Sequence, residues 1–248
     1  MIILAIGAHI CDMEFTCGAV LAKHARMGDE VHLLSTTVGE KGCGSLLPAA
    51  VLESGRGSMP TVEAYKKQKI EEGLKCAKKL GAVSSTWLDY PDAELPCDRK
   101  VQLEIAAEIR RIKPDIVITH WNTARHSDHY KTAVNVEKAL WIAKMPTIET
   151  GHPRHVVSRL YYTDNLEDQI DFVPNVFVSV KEEDIATWQS AISEFLVGRG
   201  ERSGFSFVDY YRHLAHVRGM EAKFKYAQAF YTEMNVRTGK LFGAYNPA

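Results

Sequence analysis

The chain has 248 residues, 46% of them hydrophobic, enough to bury one substantial core without division into several domains. Its 30 basic and 31 acidic residues leave a formal charge of −1, which argues against nucleic-acid partners, because non-specific binding to them needs a clustered positive field. Five cysteines without a CxxC pair disfavour a disulfide framework or a zinc ribbon and fit a reducing cytoplasm, and neither a secretory leader nor a membrane span is expected.

The apolar run over 2–7 reads as a buried strand, 17–27 as the helix after it, and 31–37 as a second strand, which together make one βαβ unit. Residues 43–60, rich in Gly, Ser and other small residues, read as a long loop that contributes to a substrate mouth. Helical spacing over 65–80 stops at Gly81, a helix C-cap residue, and 85–88 is a short strand. An amphipathic helix over 101–112 is followed by Pro114 and the strand 116–119, which delivers the chain to His120. Further on, 159–163 and 176–180 are strands, 182–195 is a helix, and 210–230 is one long helix or two. The alternation predicts one α/β domain over 1–248, a Rossmann-like, mostly parallel sheet flanked by helices on both faces. Ligands of such a sheet bind beyond the carboxyl ends of its strands.

Two strand ends carry the chemistry. His9 and Asp12 follow the first strand, and His126, Asp128 and His129 follow the strand at 116–118. If those strands are neighbours, two imidazoles and a carboxylate meet at one spot. A catalytic zinc takes three protein ligands at roughly 2.0 to 2.2 Å and keeps its last position for water, whose pKa it lowers to about 7. His9, Asp12 and His129 supply such a set, which points first to a zinc hydrolase. Two histidines and a carboxylate also suit Fe2+ or another divalent transition metal. For His9 and Asp12 the plainer alternative is a helix N-cap.

These residues resemble the LmbE-like or PIG-L family, zinc-dependent N-deacetylases of sugar conjugates. The family opens on Ala-His-Pro-Asp-Asp-x-Glu, which stands here as Ala8, His9, Ile10, Cys11, Asp12, Met13 and Glu14. Its HxDH motif appears as His126, Ser127, Asp128 and His129. The segment from Thr37 through Val38, Gly39, Glu40 and Lys41 to Gly42, the helix before Leu80 and Gly81, and the later Arg218-Gly219 and Tyr226 to Phe230 are also similar. The resemblance implies that His9, Asp12 and His129 bind the metal. It implies that His126 stabilises the oxyanion and helps the amine leave, with Asp128 orienting it. It further implies an N-acylated amino-sugar conjugate, most often N-acetylated, as substrate and a homo-oligomeric assembly.

One departure bears on mechanism. The aspartate that the family uses as general base falls on Cys11. Either His126 or Glu14 serves as base, or none is needed; or amide hydrolysis is impaired and the fold binds its metal or sugar; or Cys11 enters the metal shell and changes the preferred ion. Ile10 in place of proline removes one fixed dihedral and matters less.

Four residues are candidates for substrate contact: Lys69, where the family has arginine, Asp92, Trp121 and Arg125. Each also has a plainer role, as a solvated lysine, a turn acid or parts of a packed loop. Glu14 either supports a ligand histidine or sits in a first helical turn where acids are favoured. His120 is a minor candidate at its strand end. A nucleotide-binding protein is disfavoured because Gly7-Ala8-His9 does not build the GxGxxG turn.

Overall fold

The computed structural model describes residues 1–42, 60–200 and 204–233, so all of the loop expected over 43–60 except Pro60 lies outside the described residues. Seven strands form one sheet: β1 Ile2–Gly7, β2 Glu30–Thr37, β3 Ser84–Tyr90, β4 Ile116–Thr119, β5 Arg159–Thr163, β6 Val176–Val180 and β7 Tyr226–Tyr231. They lie in the order β3-β2-β1-β4-β5-β7-β6. β1 pairs in parallel with β2 on one side and β4 on the other, with Ile3 opposite Ile116 and Ile6 opposite Thr119. The strand order therefore reverses direction between β1 and β4, and the crevice beyond their carboxyl ends is the topological switch point where open α/β sheets bind ligands.

The helices are α1 Asp12–Arg26, α2 Val62–Leu80, α3 Arg99–Ile112, α4 Ser127–Lys144, α5 Glu182–Ile192, the single turn α6 Leu196–Arg199 and α7 Phe207–Glu221. Alternation along β1 decides which face each one covers. Ile3 and Ala5 join a core with residues of α1, α2, α5 and α7, such as Leu21, Leu80, Trp188 and Tyr211. Leu4 and Ile6 point the other way, into a core with Ile105 and Ile109 of α3 and Val136 and Ile142 of α4. Both faces are thus covered, as parallel sheets require. Thr61 and Asp98 cap α2 and α3 by accepting the N–H groups of Ala64 and Val101. Among the described residues no helix is long and apolar enough to cross a membrane.

Two expectations change. α1 begins at Asp12, five residues before the expected start, because Glu14 accepts the Cys11 N–H at 3.2 Å and closes the first turn. The helix expected over 210–230 ends at Glu221, and Tyr226–Tyr231 is a strand. Its aromatic residues suit a pleated surface, and it is held on both edges, antiparallel to β5 and to β6. Gly219 permits the reversal: a Cβ there would lie 2.7 Å from the Tyr226 Cα. β7 also reaches the site's support, since Gln228 accepts the Val20 N–H and donates to the Thr16 carbonyl, tying β7 to the middle of α1.

Candidate metal centre

β1 ends at Gly7, and the chain turns through Cys11, whose φ of 108° is unusual for a residue with a side chain, into the first turn of α1. That turn carries Asp12. β4 leads through His120 to His126, the N-cap of α4, so Asp128 and His129 occupy the first turn of that helix. The two turns meet. His9 Nδ1 lies 3.2 Å from Asp12 Oδ2 and 3.3 Å from His129 Nε2, and the third edge, His129 Nε2 to Asp12 Oδ2, is 3.5 Å.

This triangle fits an ion. Ligands at roughly 2.0 to 2.2 Å in tetrahedral geometry stand about 3.3 to 3.6 Å apart. Three donors at that spacing suit three corners, and the residues that carry them line a cavity of about 430 Å3. Donors of His9, His126 and His129, and of Asp12, His120 and His129, also lie within 4.8 Å of one another. His120, however, has both nitrogens engaged: Nδ1 is 3.0 Å from Asp168, and Nε2 is 3.0 Å from Asp12 Oδ2 and from the Ala8 N–H.

The sequence offered no motif for Asp168, yet it organises the centre. Fully buried, it accepts from His129 Nδ1 at 2.9 Å and from His120 Nδ1 at 3.0 Å. The first bond leaves His129 Nε2 with its lone pair for an ion, the carboxylate-histidine support usual at metal sites. Asp92 Oδ1 stands 3.1 Å behind His9 Nε2, with Asp128 Oδ2 at 3.7 Å; neither is aligned as a hydrogen bond, so that nitrogen has no partner on its N–H line.

The electrostatics agree with a cation site. Burial opposes the charge on Asp12, but His9, His129 and His120 outweigh it and hold the carboxyl well below the usual carboxylate range. Burial works against Asp168 as well, and its bonds from His120 and His129 bring it down to about 2. His129 is lowered to about 4 by burial and by the charge on His120, which keeps it neutral and able to ligate. His120 rises to about 9 despite burial, held between Asp12 and Asp168. His9 rises well above its ordinary value against burial, because Asp12, Asp128 and Asp92 crowd it. That surplus of negative charge is what a divalent cation offsets.

The other expected residues divide. Cys11, Lys69, Asp92 and His126 border the cavity. Burial pushes the Cys11 thiol up, and Asp12 and Glu14 push it further against the pull of Lys69, so it is a neutral thiol. His126 Nδ1 accepts the Asp128 N–H at 3.3 Å, whereas the Asp128 carboxylate accepts the Ala93 N–H and faces His9. The expected carboxylate bond from Asp128 to His126 is therefore replaced by a backbone one. Glu14 reaches no ligand histidine; its carboxylate holds the Cys11 turn that presents Asp12. Arg125 borders an adjoining cavity of about 640 Å3 that shares His126 and Glu167 with the first. Trp121 is a correction: its indole donates to the Ile170 carbonyl and packs edge-on against Tyr162, Phe172 and Tyr231 instead of covering the cavity.

Asp168 and Glu167 were missed because no motif contains them. A signal existed in the acidic run from Asp164 to Asp168, which directly follows β5, the parallel neighbour of β4.

The family description "PIG-L: GlcNAc-PI de-N-acetylase" matches residues 4–140, more than half of the chain. A 4-oxalmesaconate hydratase of Pseudomonas putida is 23% identical over 222 residues, covering 89% of this chain and 80% of the hydratase. The crystal structure of the conserved protein TT1542 from Thermus thermophilus superposes with a TM-score of 0.78 at 21% identity, over 98% of this chain and 99% of that one. The N,N'-diacetylchitobiose deacetylase of Pyrococcus horikoshii superposes with a TM-score of 0.73 at 19% identity, over 94% and 83%. The two structural likenesses share the fold described above.

Proposed function

The chain belongs to the PIG-L family, and from that premise we propose that it is a metal-dependent hydrolase that removes an acyl group, most often acetyl, from the nitrogen of an amino-sugar conjugate. The observation that carries this reading is the His9, Asp12, His129 triangle, whose 3.2, 3.3 and 3.5 Å edges suit three ligands of one tetrahedral ion at the border of the cavity. Zinc is the proposed ion, with Fe2+ or another divalent transition metal as alternatives; when bound it supplies an acidified water and a polarised carbonyl.

The protein's own groups then have distinct tasks. Asp168 orients the His129 imidazole from behind through its Nδ1 bond, and Asp92 stands beside His9 Nε2 as a counter-charge. His126 accepts the Asp128 N–H at Nδ1, which places its ring proton on Nε2, where it donates a hydrogen bond to the oxyanion. Its ring centroid lies 4.8 Å from that of His9 and 4.5 Å from that of His129, beside the reacting centre. Lys69, Asp92 and Arg125 are the proposed substrate contacts. Cys11, as a buried thiol, is a poor base, so the proposed hydrolysis relies on no side-chain base at position 11. We further propose that the protein works as a cytoplasmic homo-oligomer, consistent with the exposed Trp141 and Val156, and light scattering of the purified protein tests the assembly.

Acetate release from a panel of N-acetylated amino sugars tests the activity. Turnover in the wild type that is lost in His126→Ala supports the hydrolase, whereas turnover only in Cys11→Asp assigns the chain to an impaired, ligand-binding branch. One observation favours a second reading, hydration of a carbon–carbon double bond: position 11 has a neutral thiol where amide hydrolysis calls for a base. The hydratase among the relatives has the same direction. Loss of ultraviolet absorbance from an unsaturated dicarboxylate, with no acetate release from the sugars, would select that reading.

A further inference from the structure

Lys69 lies in α2 and is only 6% exposed, yet it borders the cavity alongside His9 and Cys11. Gly39 makes room for it: a Cβ there would stand 2.5 Å from Lys69 Nζ and 3.0 Å from the His9 Cβ, so any other residue would push the ammonium aside. Lys66 and Lys79 of the same helix pair with Asp89 and Glu194, and Lys41 pairs with Glu94. Lys69 differs. Among the described residues it forms no ion pair, and its ammonium reaches the Cys11 thiol. Its charge is balanced only at a distance, by Asp12 and Asp92, so a buried ammonium at the edge of a cavity has its direct pairing position left for a charge that arrives with the ligand.

Two features narrow that ligand. Asp12 and Asp92 are within electrostatic reach of Lys69, which disfavours a dianion such as a phosphate monoester and leaves room for a single negative charge. The wall formed by Phe15, Phe207 and Tyr211 is aromatic, with Phe15 stacked on Phe207 at 5.5 Å and on Tyr211 at 6.1 Å. We propose that the substrate of this site carries a carboxylate, bound by Lys69, beside an apolar face that packs on this wall. The inference rests on the reading that this cavity receives the acylated amine.

The test is calorimetric binding to the metal-replete protein of N-acetylmuramate, its methyl ester, N-acetylglucosamine and N-acetylglucosamine 6-phosphate, with acetate release measured in parallel. The free acid should bind about 10- to 100-fold more tightly than its ester, the range expected of one charge-assisted hydrogen bond. Lys69→Met should bring that ratio to about one, and Lys69→Arg, which keeps the charge, should retain a preference for the acid. Circular dichroism and metal content confirm that both variants are folded. Equal binding of acid and ester, no binding of the acid at millimolar concentration, tighter binding of the phosphate, or an acid preference that survives Lys69→Met each overturns the proposal. Lys69-dependent binding of the acid without acetate release from any probe would instead overturn the deacetylase reading and leave the carboxylate site standing.

Discussion

Replacing Asp168 with asparagine keeps the shape of the side chain and removes one property, the ability to accept from two ring N–H groups at once. Both carboxylate oxygens are committed, to His129 at 2.9 Å and to His120 at 3.0 Å, at a site with no solvent exposure. An asparagine offers one oxygen, and its NH2 must face the other ring's N–H, so one imidazole has to change tautomer. If His129 changes, its Nε2 gains a proton and loses the lone pair that faces His9 and Asp12. The drop from the ordinary 3.8 to about 2 for this carboxyl corresponds to roughly 2 to 3 kcal/mol in favour of the charged form. Because folding depresses the pKa, this stabilisation is present above the unfolded value near 4 and fades as pH falls toward 2. At pH 7 the asparagine variant should therefore lose about 2 to 3 kcal/mol by urea unfolding of the metal-stripped protein. Its metal affinity should fall about 10- to 100-fold in a chelator competition. A variant within 0.5 kcal/mol of wild type that also binds metal as tightly would refute the role given to Asp168.

Arg110, 2% exposed, donates to the carbonyls of Ile142, Ala143, Met145, Ile148 and His152 and to Thr150 Oγ1, closing the C-terminal end of the helix whose first turn bears His129. Arg110→Met should cost about 3 to 5 kcal/mol in chemical unfolding by orphaning several carbonyls, and a loss below 1 kcal/mol would contradict this. Gln228→Leu removes the side chain that binds both the Val20 N–H and the Thr16 carbonyl; a loss of roughly 1 to 3 kcal/mol is expected, with faster hydrogen exchange confined to α1. Gly39→Ala meets both a φ of 81° and the Lys69 ammonium, so a loss of about 1 to 2 kcal/mol should show as a lowered melting temperature.

What the sequence made legible follows from how local each signal is. The pairing of β1 with β4, and with it the convergence of His9, Asp12 and His129, rests on two apolar runs, each ending in a motif with metal-binding side chains. Long-range support is different in kind. Asp168 is 39 residues from His129 in sequence, and only the position of β5 beside β4 brings them together. The strand at 226–231 was hidden because its tyrosines and alanines also fit a helix, and its pairing with β5 and β6 overrides that propensity. Trp121 had the composition of a sugar-stacking residue, yet three neighbouring rings claimed it. The Cys11 turn illustrates a further limit: a positive φ at a residue with a side chain is held by the Glu14 bond and by packing, neither of which composition reveals.

The most direct measurement is metal stoichiometry by elemental analysis, paired with an anomalous scattering map at the absorption edge of the ion found. One divalent transition-metal ion per chain is expected, centred among His9 Nδ1, Asp12 Oδ2 and His129 Nε2, and none in His129→Ala. A metal-replete wild-type protein without a bound ion, or an anomalous peak away from those three atoms, would contradict it.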